Sequence, residues 1–116
     1  MARPHYSLEA WKAARILVKR VYEITAGYPP QEVYSLVAQL RRAAVSIPSN
    51  LAEGAARTGR KEFAQFVNIA SGSLSELETQ LLLSADLGYL DSNHEIFGQV
   101  DHVSALLQGL HRSITK

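Results

Sequence analysis

The feature that most constrains what this chain can fold into is a helical pattern that runs straight through a proline. In residues 39–54, Gln-Leu-Arg-Arg-Ala-Ala-Val-Ser-Ile-Pro-Ser-Asn-Leu-Ala-Glu-Gly, the apolar positions Leu40, Ala43, Ile47 and Leu51 recur at steps of three or four. Leu36 and Ala55 extend the stripe at its two ends, so it continues on both sides of Pro48 as one face of a helix does. Pro48 lacks the N–H that would bond the Ala44 carbonyl, and its ring crowds that turn, at a cost of about 3 kcal/mol in a helix interior. Two helices broken at Ile47 would avoid this, but Ile47 is a poor N-cap for a helix with Pro48 at its first position. The pattern predicts a single kinked helix, held by tertiary contact.

Punctuation along the rest of the chain marks three further helices. Ser7 stands as an N-cap for the first, which continues to about Ala26 with Leu8, Trp11, Ala14, Val18 and Val21 on one face. Gly27-Tyr28-Pro29-Pro30 stops it, since glycine permits a left-handed cap and the prolines cannot propagate the helix. The proline-crossed helix is expected from about Pro30 to Arg57. After Thr58-Gly59 the third spans about Arg60 to Leu87, with Phe63, Val67, Ala70, Leu74, Leu77, Leu81 and Ala85 at helical spacing. Gly59 with Glu62 resembles a capping box whose cap side chain is missing. Gly88 is the natural residue to close the third helix, with Tyr89 or Leu90 packing back on it. Ser92 and Glu95 form a capping box for the fourth, along which Ile96, Val100, Val103, Leu107, Leu110 and Ile114 line up. No segment alternates as a strand does. The expected fold is all-α: a single domain over residues 1–116, an antiparallel up-down-up-down four-helix bundle with a proline-kinked second helix.

Two triplets exceed what a bundle seam requires. Ile16-Leu17-Val18 and Leu81-Leu82-Leu83 each sweep about 200° around a helix, against about 100° for a core-facing stripe. At least one residue of each must point off the core, which favours a subunit interface. Within the second helix, Ser46, Asn50 and Glu53 share a side and are expected to satisfy the carbonyl freed by Pro48 or to bond a neighbouring helix. Gly72, mid-way along the third helix, reads as a point of close helix approach.

The 116 residues contain no cysteine, which removes disulfide scaffolds, thiolate zinc sites and cysteine nucleophiles together. Met-Ala-Arg-Pro-His-Tyr-Ser lacks the apolar core of a signal peptide, and Leu81-Leu82-Leu83 is too short to span a bilayer. The expected compartment is the cytoplasm. Gly54-Ala-Ala-Arg-Thr-Gly59-Arg60-Lys61 imitates a P-loop, but its lysine falls one place late, no Ser or Thr follows, and no strand precedes it. His5, His94, His102 and His111 show no metal spacing. Glu76 and Glu78 lie about 200° apart on a helix and cannot serve one substrate as an acid–base pair. The chain reads as no enzyme, and no cofactor is expected.

Net charge is +1, but residues 1–61 hold ten Lys/Arg against four acids, while residues 62–116 hold two against seven. Such polarity attracts a polyanion to one side or docks basic half on acidic half. Arg41 and Arg42 are adjacent on the second helix. Arg57, Arg60 and Lys61 gather around the second connection, where lysine, arginine and free helix N–H groups would all point at a phosphate. These five are the candidate nucleic-acid contacts. Lys12, Arg15 and Lys19 share one face of the first helix and read first as solvated charge balanced by Glu9 and Glu23.

Tyr28-Pro29, Glu32-Val33-Tyr34-Ser35-Leu36, Gln39-Leu40-Arg41-Arg42-Ala43-Ala44, Ser46-Ile47 and Asn50-Leu51-Ala52-Glu53-Gly54 resemble the bacterial four-helix-bundle family encoded by 23S rRNA intervening sequences. The third helix continues the likeness with Glu62-Phe63, Phe66, Ile69-Ala70, Gly72-Ser73-Leu74, Glu76-Leu77-Glu78 and Leu87-Gly88-Tyr89. That family includes the accessory proteins of diversity-generating retroelements. The resemblance implies a homopentamer of bundles with basic surfaces for RNA or DNA, and for the accessory proteins a reverse transcriptase partner. Family likeness bears on fold far more than on function. The reading is therefore a non-enzymatic, oligomeric protein that binds nucleic acid, structured RNA or DNA, through a basic surface. The competing reading is a protein–protein scaffold or adaptor without nucleic-acid binding.

Overall fold

The computed structural model describes residues 3–116; Met1 and Ala2, part of the segment read for a leader, lie outside the described residues. Four helices, α1 (Glu9–Thr25), α2 (Leu36–Ala55), α3 (Arg60–Asp86) and α4 (Ile96–Ile114), follow one another, with short 3-10 turns at Pro4–Ser7 and Pro30–Glu32. Each helix packs on its neighbours in sequence, and α1 closes the ring against α4. Paired residues run in opposite order along α2 and α3: Gly54 meets Phe66, Ser46 meets Ser73 and Gln39 meets Gln80. Likewise the start of α1 and the end of α4 line one recess, while Arg20 late in α1 pairs with Glu95 just before α4.

The core is the stripe expected from periodicity. Leu40, Ile47, Leu51, Val67, Leu77, Leu81, Val103 and Leu107 are almost completely buried, and at about 1.5–3 kcal/mol for each large aliphatic side chain they dominate the stabilisation. α1 turns further than expected. Its buried face is Ala10, Ala14, Leu17, Val21 and Thr25, whereas Trp11 and Val18 only flank the core, because α1 must face both α2 and α4.

α2 is one helix, uninterrupted across Pro48, and of the two roles expected of the polar residues around it, Ser46 and Asn50 take the second, a bond to a neighbouring helix. Asn50 Nδ2 donates to the Ser46 carbonyl at 2.8 Å and to Ser46 Oγ at 2.9 Å. Ser46 Oγ in turn pairs with Ser73 Oγ on α3 at 2.8 Å. The network thus serves the Ser46 carbonyl and ties α2 to α3, rather than the Ala44 carbonyl that Pro48 frees. Glu53 is exposed and stands outside it.

Close approach between α2 and α3 occurs at Gly54, not Gly72. A Cβ on Gly54 would lie 2.5 Å from Phe66 Cβ and 3.1 Å from Phe63 Cδ1, whereas one on Gly72 would meet nothing within 4 Å. Gly72 faces solvent.

Helix ends depart from the sequence reading in three places. Ser7 donates to the Pro4 carbonyl at 3.4 Å instead of capping α1, because the chain makes a 3-10 turn first and Leu8 becomes the capping position. α2 starts at Leu36 rather than Pro30, since Ser35 leaves helical space (φ −122°, ψ −103°). No side chain caps α4; the Ser92–Glu95 box does not form, and His94 Nδ1 accepts the Ile96 N–H at 3.0 Å. The end of α3 does follow expectation. Gly88 has φ +83°, its N–H bonds the Ala85 carbonyl, and the Tyr89 N–H reaches back to Ser84, the paired bonds of a Schellman motif.

Tyr89 Oη donates to Glu32 Oε2 at 2.8 Å, and its ring packs against Tyr28 at 5.2 Å, clasping the first connection to the third. The bond to the Glu32 carboxylate pushes the Tyr89 phenol up from its ordinary 10.0. Burial pushes Tyr28 up in the same way, and its oxygen has no hydrogen-bond partner. Both phenols hold their protons more tightly when folded, so this part of the stability is intact below pH 10 and is lost as pH rises above it. Thermal melts into the alkaline range should show that decline flattened in a Tyr28→Phe/Tyr89→Phe double variant. An identical decline in the two proteins rules the clasp out as its source.

Candidate nucleic-acid interface

Antiparallel packing turns the charge split along the chain into a split between the ends of the bundle. Dividing each helix at its midpoint, one end collects Arg3, Lys12, Arg15, Arg57, Arg60, Lys61, Arg112 and Lys116 against Glu9, Glu53 and Glu62, a balance of +5. The other collects four Lys/Arg against eight Asp/Glu, a balance of −4. The molecule extends 43 Å along its longest axis, several times the roughly 8 Å screening length at physiological salt. A partner at one end therefore experiences that end's charge, not the net +1.

The five candidate residues do not form one patch. Arg57, Arg60 and Lys61 come together at the basic end, all exposed. Arg57 is set by packing: its guanidinium lies 5.1 Å from the Phe66 ring centroid, and Phe66 comes that close to α2 because Gly54 has no side chain. Arg60 and Lys61 occupy the first turn of α3, where Gly59 supplies no side-chain cap. Cations there oppose the helix dipole by about 0.3–1 kcal/mol each, a cost that reverses when phosphate accepts from both the side chains and the backbone N–H groups. Among the described residues none of the three makes an ion pair; the pairs are Lys12–Glu9 and Arg20 with Glu23 and Glu95.

Arg41 lies 14 residues before Ala55, the last residue of α2, about 21 Å away at 1.5 Å per residue, with Arg57 beyond that end, and it is engaged. Nε donates to Thr25 Oγ1 at 3.0 Å, Nη2 to the Tyr22 carbonyl at 3.4 Å, and the guanidinium lies 4.4 Å from the Tyr22 ring centroid. A cation on the last carbonyls of α1 also offsets that helix's dipole. Arg41 is thus a tie between α1 and α2, while Arg42 next to it is exposed. Sequence reasoning passed over Arg112 and Lys116, which the return of α4 brings to the basic end; only the antiparallel fold carries that signal.

The fold defines a four-helix-bundle protein whose ends carry opposite charge. More particularly, the family model of the 23S rRNA-intervening sequence protein matches residues 6–109, and the chain belongs to that family. No curated protein matches it. No helix among the described residues is long and apolar enough to cross a membrane.

Proposed function

We propose that this chain is a non-enzymatic nucleic-acid-binding protein of the cytoplasm that holds the phosphate backbone at the basic end of the bundle. Arg57, Arg60 and Lys61 make the principal contacts, and Arg42 is a separate, outlying one. The observation that carries this reading is the convergence at the α2–α3 connection of three exposed cations without carboxylate partners beside an uncapped helix start. Exposed apolar side chains favour self-association alongside it: Ile16, Val45, Ile69, Leu82, Leu83 and Leu87 are each 40 % exposed or more. That fits the homopentamer implied by the likeness to retroelement accessory proteins, and with it a reverse transcriptase as protein partner.

Labelled structured RNA and duplex DNA titrated across a salt series test the first part. Binding should weaken with a log–log slope of about −2 or steeper, since each neutralised phosphate contributes about −0.7 to −0.9. Absence of binding at low salt leaves the scaffold reading in its place. Light scattering on the same sample should return a multiple of the 12.8 kDa chain mass; a monomer at micromolar concentration removes the oligomer.

A further inference from the structure

The N-terminal turn carries an arrangement that the phosphate contacts do not use. Residues Pro4–Ser7 form a 3-10 hook packed on α1 and α2 and closed by Tyr6 N–H to the Arg3 carbonyl and Leu8 N–H to the His5 carbonyl. It brings three rings together: His5 lies 4.8 Å from both Tyr6 and Trp11, and Tyr6 lies 5.6 Å from Trp11. The Arg15 guanidinium is 4.9 Å from the Trp11 ring centroid. His5, Tyr6, Trp11 and Arg15 line an open recess of about 510 Å³. A hook that served only as an anchor would bury its aromatic faces, yet Tyr6 is 46 % exposed.

We propose that this recess stacks an unpaired base of single-stranded nucleic acid. The proposal rests on the reading of the basic end as a phosphate surface and names the kind of strand that end takes. Aromatic faces combined with arginine stack any base, because every base presents a π-face, and a duplex keeps its bases inside. Arg15 already places a cation in the recess, which disfavours a cationic ligand and favours a flat, neutral ring attached to a polyanion. Arg3 and Lys12 belong to the same end as Arg57, Arg60 and Lys61, and the bundle is only 25 × 21 Å across, so one strand can lay phosphates at the α2–α3 connection and a base at the hook.

Trp11 is the chain's single tryptophan, so its emission reports the site directly. The full chain is titrated at low salt with a short oligoadenylate, an abasic oligomer of the same length and a blunt duplex. Oligoadenylate should quench Trp11 and bind about ten-fold or more tightly than the abasic oligomer, the range expected for one stacked base. Tyr6→Ala should bring its affinity down toward the abasic level with helicity unchanged, and Tyr6→Phe should restore it. Trp11→Phe, followed by anisotropy of labelled oligoadenylate, should retain most of the affinity. Equal affinity for the oligoadenylate and abasic oligomers, unchanged Trp11 emission at saturation, or preference for the duplex overturns stacking while leaving the phosphate surface standing. If no oligomer binds at low salt, the phosphate reading fails and the stacking site with it.

Discussion

Gly54→Ala should lower the melting temperature by on the order of 10 °C, while Gly72→Ala raises it by a few degrees. Both replace a helical glycine, and in an open helix that change is favourable by about 0.5–1 kcal/mol. At Gly72 nothing stands within 4 Å of the added methyl, so the gain is realised. At Gly54 the methyl would lie 2.5 Å from Phe66 Cβ, an atom fixed directly to the α3 backbone that no rotamer change can withdraw. α2 and α3 must separate, and overpacking of this kind costs about 1–3 kcal/mol, occasionally more. For a domain of this size each kcal/mol moves the midpoint by roughly 4–8 °C. Separation would also shift Phe66 from beneath Arg57, so the variant should bind nucleic acid less well even where it remains folded. Melting curves for the two variants and the parent decide it; a Gly54→Ala protein that melts with the parent shows that the helices do not approach there.

Reversing Arg57, Arg60 and Lys61 together to Glu should weaken nucleic-acid binding by at least about a hundred-fold at low salt and flatten the log–log salt slope by about 2 to 3, the share of three phosphate contacts. All three side chains are exposed, so circular dichroism and melting should change little. Arg41→Ala is the informative contrast. Its guanidinium bonds Thr25 and Tyr22, so its loss should cost about 1.5–3 kcal/mol of stability, as for a hydrogen bond from a charged group, without altering the salt slope. Binding that survives the triple reversal moves the contact surface away from the α2–α3 connection, and a slope change in Arg41→Ala returns Arg41 to the interface.

These two expectations separate what periodicity reveals from what contact reveals. The stripe from Leu36 to Leu51, the continuity of α2 across Pro48 and the Gly88 turn were all legible, because each depends on residues within a few positions of one another. The choice between Gly54 and Gly72 was not, since a glycine in a helix looks the same in sequence whether a phenylalanine or water stands opposite it. Arg41 and Arg42 were likewise indistinguishable as neighbours; one step of about 100° turns the first onto Tyr22 and leaves the second in solvent. At the fourth helix a local motif misled, because the Ser92–Glu95 spacing fits a capping box but Glu95 itself stands at the N-cap without a side-chain bond, and the first helical N–H goes to His94 instead.

By itself, then, the sequence determined that this chain is all-helical, how many helices it has, which stripe of α2, α3 and α4 is buried and which family it belongs to, since short-range spacing is what a helix reads; the buried face of α1 was turned from the expected one by its two neighbours. Only the tertiary structure decided that Arg3, Lys12, Arg15, Arg57, Arg60 and Lys61 meet Arg112 and Lys116 at one end, that Arg57 rests on a phenylalanine admitted by Gly54, and that Arg41 is tied to Thr25 and Tyr22. Antiparallel packing is the reason: it sets residues far apart in the chain side by side and sends near neighbours on one helix to opposite environments, and charge acts across that space rather than along the sequence.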